Sequence, residues 1–350
     1  MTMTTPRCLK IFLSGWIVSI SVAIGGAWAA EPLYAPLPPA PPIALSTSAL
    51  EAATIFRAYA HKAADISPKF SSGVSVEDSL AVGSAYEPEQ LTRGAIAYAA
   101  LVALQSPTFV ATFRAYAPYP EQRQKLADAI LHNPRYAGEF PGASSAAGLI
   151  VATLAAEVGR MQTTGAAVKQ SAYSVQHSAW SKTRVINPMQ RLALAKSRSA
   201  ALMTPEPADI ETLKAIAASA GDPRAAEALD AHGQPVDGPY APLATRALAV
   251  AALALLGEGG DDNAAAVQTL LSEPENGACL RMSKLNLYQC LAVAVPWYED
   301  IFCLGEHALG ETAQCIVKDI ATPAQIQSAV TPTSSATTPV APSVPATGAR

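Results

Sequence analysis

The sequence predicts an all-α fold: a multi-helix bundle with one long helix at about 145–187 and a disulfide-bonded helical hairpin near its C-terminal end. Three observations lead there. Half of the residues are apolar, only 6% are aromatic, and alanine abounds, which suits helices packed closely through small side chains. Prolines and glycines punctuate the chain at helix-length intervals, and no segment reads as a convincing strand. From Leu154, apolar or small residues recur in alternating steps of four and three (Val158, Met161, Gly165, Val168, Ala172, Val175, Ala179). That is the seam of a helix facing a partner, expected to be another helix of the same chain.

Taken in order, residues 1–30 read as a cleavable secretory signal. Arg7 and Lys10 precede an apolar stretch over 11–24, then Gly25, Gly26 and small residues at Ala27 and Ala29, the pattern a signal peptidase accepts. The apolar core is short for a bilayer span of about 20 residues. Cleavage after Ala29 or Ala30 places the mature protein in the periplasm or outside the cell. No later apolar run is long enough to span a membrane; the longest, over 247–256, reads as a buried helix.

Residues 31–45 form a proline-rich linker. The helical domain follows over 46–320, with 46–205 and 206–320 as candidate subdomains. Helices are expected at 47–65, 91–104, 107–116, 120–132, 145–187, 189–202, 207–219, 241–256, 262–272, 281–303 and 307–320. Residues 321–350, rich in Pro, Ser, Thr and Ala, read as a disordered tail. FRAYA occurs at 56–60 and again at 113–117, but YAPL recurs at Tyr34 and Tyr240 in unrelated settings. Low-complexity composition explains both, and no repeat fold is inferred.

Four cysteines remain after cleavage: Cys279, Cys290, Cys303 and Cys315. An even number clustered in an exported segment argues for two disulfides, and the spacings are too wide for the paired cysteines of zinc sites. Three connectivities are open. On a continuous helix Cys290 and Cys303 lie about 19 Å apart along the axis, so joining them requires a sharp break at Pro296. The segments 279–290 and 303–315 each begin Cys-Leu and end Gln-Cys. This echo favours two self-closed units, Cys279–Cys290 and Cys303–Cys315.

Charge is segregated. No acid occurs between Val158 and Pro205, where Arg160, Lys169, Lys182, Arg184, Arg191, Lys196 and Arg198 lie, whereas Glu206 to Ile320 holds seventeen acids against six bases. These cations are candidate contacts for an anionic envelope polymer or an envelope protein. The competing reading is that they lie against the acidic half of the chain. Only Tyr173 and Trp180 interleave with the charges, which argues against nucleic acid.

The search for chemistry is largely negative. There is no nucleophile elbow, phosphate loop, dinucleotide fingerprint or metalloprotease motif, so no metal or cofactor is expected. The one concentration of reactive types runs from Pro296 to Glu311, with Glu299, Asp300, Glu306 and His307 as candidate acid–base or metal-binding residues. On a continuous helix Asp300 and His307 are separated by about 10 Å of rise, too far for a hydrogen-bonded pair. His307 and Glu311, four apart, would make half a metal site.

SKLNLYQC at 283–290 and the following LAVAVPWYEDIFCLGEHAL resemble the C-terminal portion of uncharacterised exported proteins of alphaproteobacteria. The resemblance extends to GRMQTTGAAVKQSAYSVQHSAWSKTRVINP, and together these segments cover roughly a fifth of the chain. It implies a Gram-negative envelope setting and brings no catalytic residue. Two functional expectations follow. The first is a non-catalytic helical envelope protein acting through protein or anionic-polymer contacts. The second is a periplasmic hydrolase or metal-dependent enzyme using the acids and histidine of 296–311.

Overall fold

Proline sets the helix starts. In a computed structural model that describes residues 37–331, nine of the fifteen α-helices have proline in the first turn, where its missing N–H and fixed φ carry no penalty. The chain runs through α1 (Thr47–Ala64), α2 (Gly73–Gly83), α3 (Pro88–Ala103), α4 (Pro107–Tyr116) and α5 (Pro120–His132). A 3₁₀ turn (Pro134–Glu139) leads to the long α6 (Ala143–Val175), then α7 (Pro188–Ala200), α8 (Pro207–Ala218), α9 (Pro223–Ala228) and α10 (Pro242–Leu256). After a second 3₁₀ turn (Asp261–Asn263) come α11 (Ala264–Leu270), α12 (Pro274–Val293) and α13 (Trp297–Cys303). A π-helical stretch (Leu304–Glu311) continues directly into α14 (Thr312–Ile320), and α15 (Pro323–Val330) follows. No strand occurs among the described residues; one isolated bridge joins Arg184 to Pro296.

The core is built on α3 and α10. Every residue from Gly94 to Leu104 is buried, as is every residue from Ala247 to Leu256. Helix α1 lies on α3 through Gly94, where a Cβ would meet the Ala52 carbonyl oxygen at 2.5 Å. Helices α10 and α14, which follow residue 205, pack against α3 and α6, which precede it. Among the described residues no single helix is long and apolar enough to cross a membrane. Helices α3 and α4 meet that test only as a pair bent by 84°, and α3 is enclosed by α1, α6 and α10.

The seam on α6 is real and its partner is internal. Leu154, Val158, Met161, Gly165, Val168 and Ala172 are all buried, and α6 packs on the π-helical stretch, α13 and α14. The approach is closest at two glycines. A Cβ on Gly305 would lie 2.4 Å from the Lys169 backbone nitrogen, and one on Gly165 would lie 3.0 Å from the Gly305 carbonyl oxygen. The seam ends sooner than expected, because α6 stops at Val175 and not near residue 187. The buried Ser181 hydroxyl donates to the carbonyls of Val175 and Ser178, giving the last turn a partner other than the next helical amide. Ala179 is exposed in the turns that follow.

The C-terminal hairpin corrects the expected disulfides. Cys279 pairs with Cys315 and Cys290 with Cys303, each with Cα atoms 5.7 Å apart. The expected pairs, Cys279–Cys290 and Cys303–Cys315, fail on geometry. Cys279 and Cys290 both sit on the unbroken α12, about 16 Å apart along its axis, beyond the ~7 Å that a disulfide spans. Cys303 and Cys315 are likewise on one continuous helical run. The break falls at 294–296, so α12 and the run from Trp297 return antiparallel. The bonds are nested, one beside the turn and one at the far end. Both fit an oxidising, extracytoplasmic compartment.

Two further expectations change. The stretch 321–350 is not wholly irregular, since α15 occupies Pro323–Val330 behind a Thr322–Gln325 capping box and packs on α6. Helix α2 falls where none was expected, started by a Ser72–Ser75 capping box. The signal at 1–30, the first part of the linker and the tail beyond 331 lie outside the described residues. Within the linker, Ile43 and Leu45 are buried against the core.

Candidate functional site

The four candidate residues of 296–311 do not converge. Glu299 accepts a hydrogen bond from the Val295 backbone N–H at 2.8 Å, closing the first turn of α13. Asp300 is fully buried and takes Arg191 at 2.5 Å. Glu306 pairs with Lys169 at 2.7 Å on the surface between α6 and the π-helical stretch. His307 Nδ1 lies 2.9 Å from Glu311 Oε1, and Glu311 Oε2 accepts from the Asn286 side chain at 2.9 Å. This last arrangement is the most ordered, because the carboxylate fixes the imidazole through one nitrogen, as in acid–histidine pairs, on a π-helical stretch of the kind often found at functional positions. Among the described residues no hydroxyl or thiol is hydrogen-bonded to the imidazole; the Ser283 hydroxyl donates to the His307 backbone carbonyl at 2.7 Å instead. Among the described residues no three His, Cys, Asp or Glu side chains come together as a metal site.

The seven cations of the acid-free stretch divide. Arg160 pairs with Glu157 within α6, and Lys169 pairs with Glu306 while lying 5.4 Å from the Phe302 ring centroid. Arg191 is buried. Besides Asp300, it donates to the carbonyls of Leu291 and Ala294 and so caps the end of α12. Burial pushes the Asp300 carboxyl up to about 6 despite that guanidinium, so desolvation outweighs attraction. Lys196 stands 5.7 Å from the Tyr288 ring centroid, within cation–π range. Lys182, Arg184, Lys196 and Arg198 are exposed and make no ion pair with any described residue.

Sequence reasoning missed a buried polar knot that joins α2, α7 and α12. The Lys284 ammonium group, 4% exposed, donates to the Ser84 carbonyl oxygen at 2.6 Å and to Ser199 Oγ at 3.0 Å. It also sits 3.4 Å from the centroid of the Tyr86 ring. Ser199 Oγ in turn donates to the carbonyls of Ser84 or Ala195. Burial holds the Lys284 pKa well below its ordinary value, opposed only by distant Glu87. These residues lie 85 and 200 positions apart in pairs, and nothing in the sequence announces their meeting.

That depression has a sign. A lysine whose folded pKa lies below its unfolded one leaves the folded state with fewer bound protons between the two values, so stability rises with pH across that window. Lys284→Met keeps the apolar stem over Tyr86, and the Ser84 carbonyl still accepts from the Tyr86 N–H and Ser199. The wild-type unfolding free energy is therefore expected to climb relative to Lys284→Met as pH rises toward the unfolded lysine pKa of 10.5. Urea titrations at stepped pH measure this, and parallel curves would exclude a desolvated, titrating amine.

In front of this knot a cleft of about 360 Å³ opens between α2 and α7, lined by Glu77 and Asp78 on one side and by Gln190, Arg191 and Arg198 on the other. Ser84, which anchors the knot, belongs to its lining too. A second, apolar hollow of about 270 Å³ lies beside the Cys290–Cys303 bond, walled by Tyr173, Val293, Tyr298 and Phe302. Comparison with protein-family models, with curated proteins and with solved structures gives no match.

Proposed function

We propose that the protein is exported by its N-terminal signal, resides in the bacterial envelope, and acts there without catalysis by binding an anionic envelope polymer through the exposed cations of residues 182–198. The observation that carries this reading is the exposure of Lys182, Arg184, Lys196 and Arg198 with no acidic partner, on a stretch that supplies no acid of its own. The dispersal of Glu299, Asp300, Glu306 and His307 to four separate partners removes the main motive for an enzyme. The likeness to exported alphaproteobacterial proteins and the two disulfides agree with the compartment.

The test is retention of the chain beginning at Glu31 on immobilised dextran sulfate, with neutral dextran as control. With a formal net charge of −4 for the full sequence, retention on a polyanion cannot come from overall attraction and requires a local basic surface. The wild type is expected to bind and to elute with salt, since exposed charges are screened over about 8 Å at physiological ionic strength. The variant K182E/R184E/K196E is expected to pass through. Equal elution of the two proteins, or retention on neutral dextran, would sink the proposal.

A further inference from the structure

We infer that the cleft between α2 and α7 binds a small zwitterion, an amino acid or short peptide, with its ammonium group toward Glu77 and Asp78 and its carboxylate toward Arg198. The inference shares Arg198 with the polyanion reading but uses none of Lys182, Arg184 and Lys196, the three cations by which that reading is tested.

The walls of the cleft carry opposite charge. Glu77 and Asp78 project from α2 and Arg198 from α7 into one cavity of about 360 Å³, a volume at the lower end of small-molecule sites. All three are exposed, and none forms an ion pair with any described residue. Acids and base thus share a cavity without reaching each other. The second arginine of the lining does not change this balance, because Arg191 is engaged by Asp300. The lining also includes Asn187 and Gln190, whose side chains form no hydrogen bond with a described residue.

The walls are held apart by the fold. Helix α2 is seated by Gly73 against Trp297 and Gly83 against Leu304, and Tyr59 donates to the Gly83 carbonyl. Helix α7 is fixed by Arg191 and by the Ser199 hydrogen bond to Ser84. A site whose partners are fixed beforehand loses little on binding.

Ligand class follows from the charges. An anion would face two carboxylates, and a simple cation would leave Arg198 unmatched. A metal ion lacks its ligand set, since no third metal-binding side chain joins Glu77 and Asp78 among the described residues. A zwitterion satisfies both walls at once through charge-assisted hydrogen bonds.

The test is equilibrium dialysis of the full mature chain against an equimolar pool of the free amino acids and their alanyl dipeptides, with retained species identified by mass spectrometry. At least one zwitterion is expected to be enriched with the protein. Its decarboxylated amine and its N-acetylated form are each expected to bind roughly tenfold more weakly. Arg198→Gln should abolish the preference for the zwitterion over the amine, and E77Q/D78N its preference over the N-acetylated form. These residues are exposed, and unchanged urea midpoints confirm that the variants fold. Retention of nothing from the pool overturns the inference, as does binding indifferent to either charge or to either variant. The K182E/R184E/K196E protein is expected to retain the zwitterion undiminished, which separates failure of this site from failure of the polyanion surface.

Discussion

Replacing Arg191 with methionine is expected to destabilise the fold by about 3–5 kcal/mol, the range for breaking a buried ion pair from one side. Arg191 does three things at once. It neutralises Asp300, which is 0% exposed, and it takes the carbonyls of Leu291 and Ala294 where α12 ends. It thereby ties α7 to the turn from which the C-terminal hairpin reverses. Asp300 Oδ2 already has no partner, so loss of the guanidinium would strand a whole carboxylate in the core. The effect carries a pH signature. With its folded pKa near 6, above the ordinary 3.8, Asp300 makes the folded state bind more protons than the unfolded chain between those values. Stability contributed by the protonated form is therefore lost as pH rises through that window. Without Arg191 the folded pKa rises further, so the deficit of Arg191→Met should shrink as pH is lowered toward about 5. The double variant R191M/D300L, which removes both charges, should recover most of the loss. Urea unfolding of the three proteins at two pH values reads all of this. A single-variant loss below about 1 kcal/mol would place Arg191 among ordinary surface ion pairs.

How the sequence led to this architecture, and where it misled, turns on local and long-range physics. Helix starts were legible at five of the nine first-turn prolines, Pro107, Pro120, Pro188, Pro207 and Pro242, whereas α3 and α12 begin earlier than expected, at Pro88 and Pro274, and the short α9 and α15 behind Pro223 and Pro323 were not read at all. The seam of α6 was legible because its period survives for several turns, and glycine and alanine in it foretold the close approach to Gly305. Helix α2 was hidden because its short sequence GVSVEDSLAVG buries only Val76, Leu80 and Gly83, too few to declare a period. The candidate site misled for a related reason. Placing Glu299, Asp300, Glu306 and His307 on faces assumed a regular helix, whereas the π-helical stretch shifts the phase from Leu304 onward. Arg191 was read as one cation among seven, since nothing nearby in sequence reveals that Asp300, 109 positions away, is its partner. The knot of Ser84, Ser199 and Lys284 was invisible for the same reason.

Digestion of the unreduced protein is expected to release two linked peptide pairs, joining Cys279 to Cys315 and Cys290 to Cys303. Trypsin alone leaves 285–318 as one peptide holding three of the four cysteines. A second cut after glutamate, at Glu299, Glu306 and Glu311, separates them. The diagnostic products are 276–281 bonded to 312–318, and 285–299 bonded to 300–306. Removing the bonds should then rank them by the chain each one closes. The outer bond spans 36 positions and the inner one 13, which corresponds to about 4 and about 3 kcal/mol of lost loop entropy in the unfolded state. C279S/C315S is expected to be the more destabilised variant for a second reason. The turn beside the inner bond is still held by the charged Arg191 through Asp300, Leu291 and Ala294, whereas the hydrogen bonds that join α12 to α14, from Asn276 to the Cys315 carbonyl and between Ser283 and Thr312, are neutral. Calorimetry of both double variants measures the order. Recovery of a Cys279–Cys290 peptide would mean that α12 is broken between those residues, because an intact helix keeps them about 16 Å apart. The nested pairing, the continuous α12 and the reversal at 294–296 therefore stand or fall together.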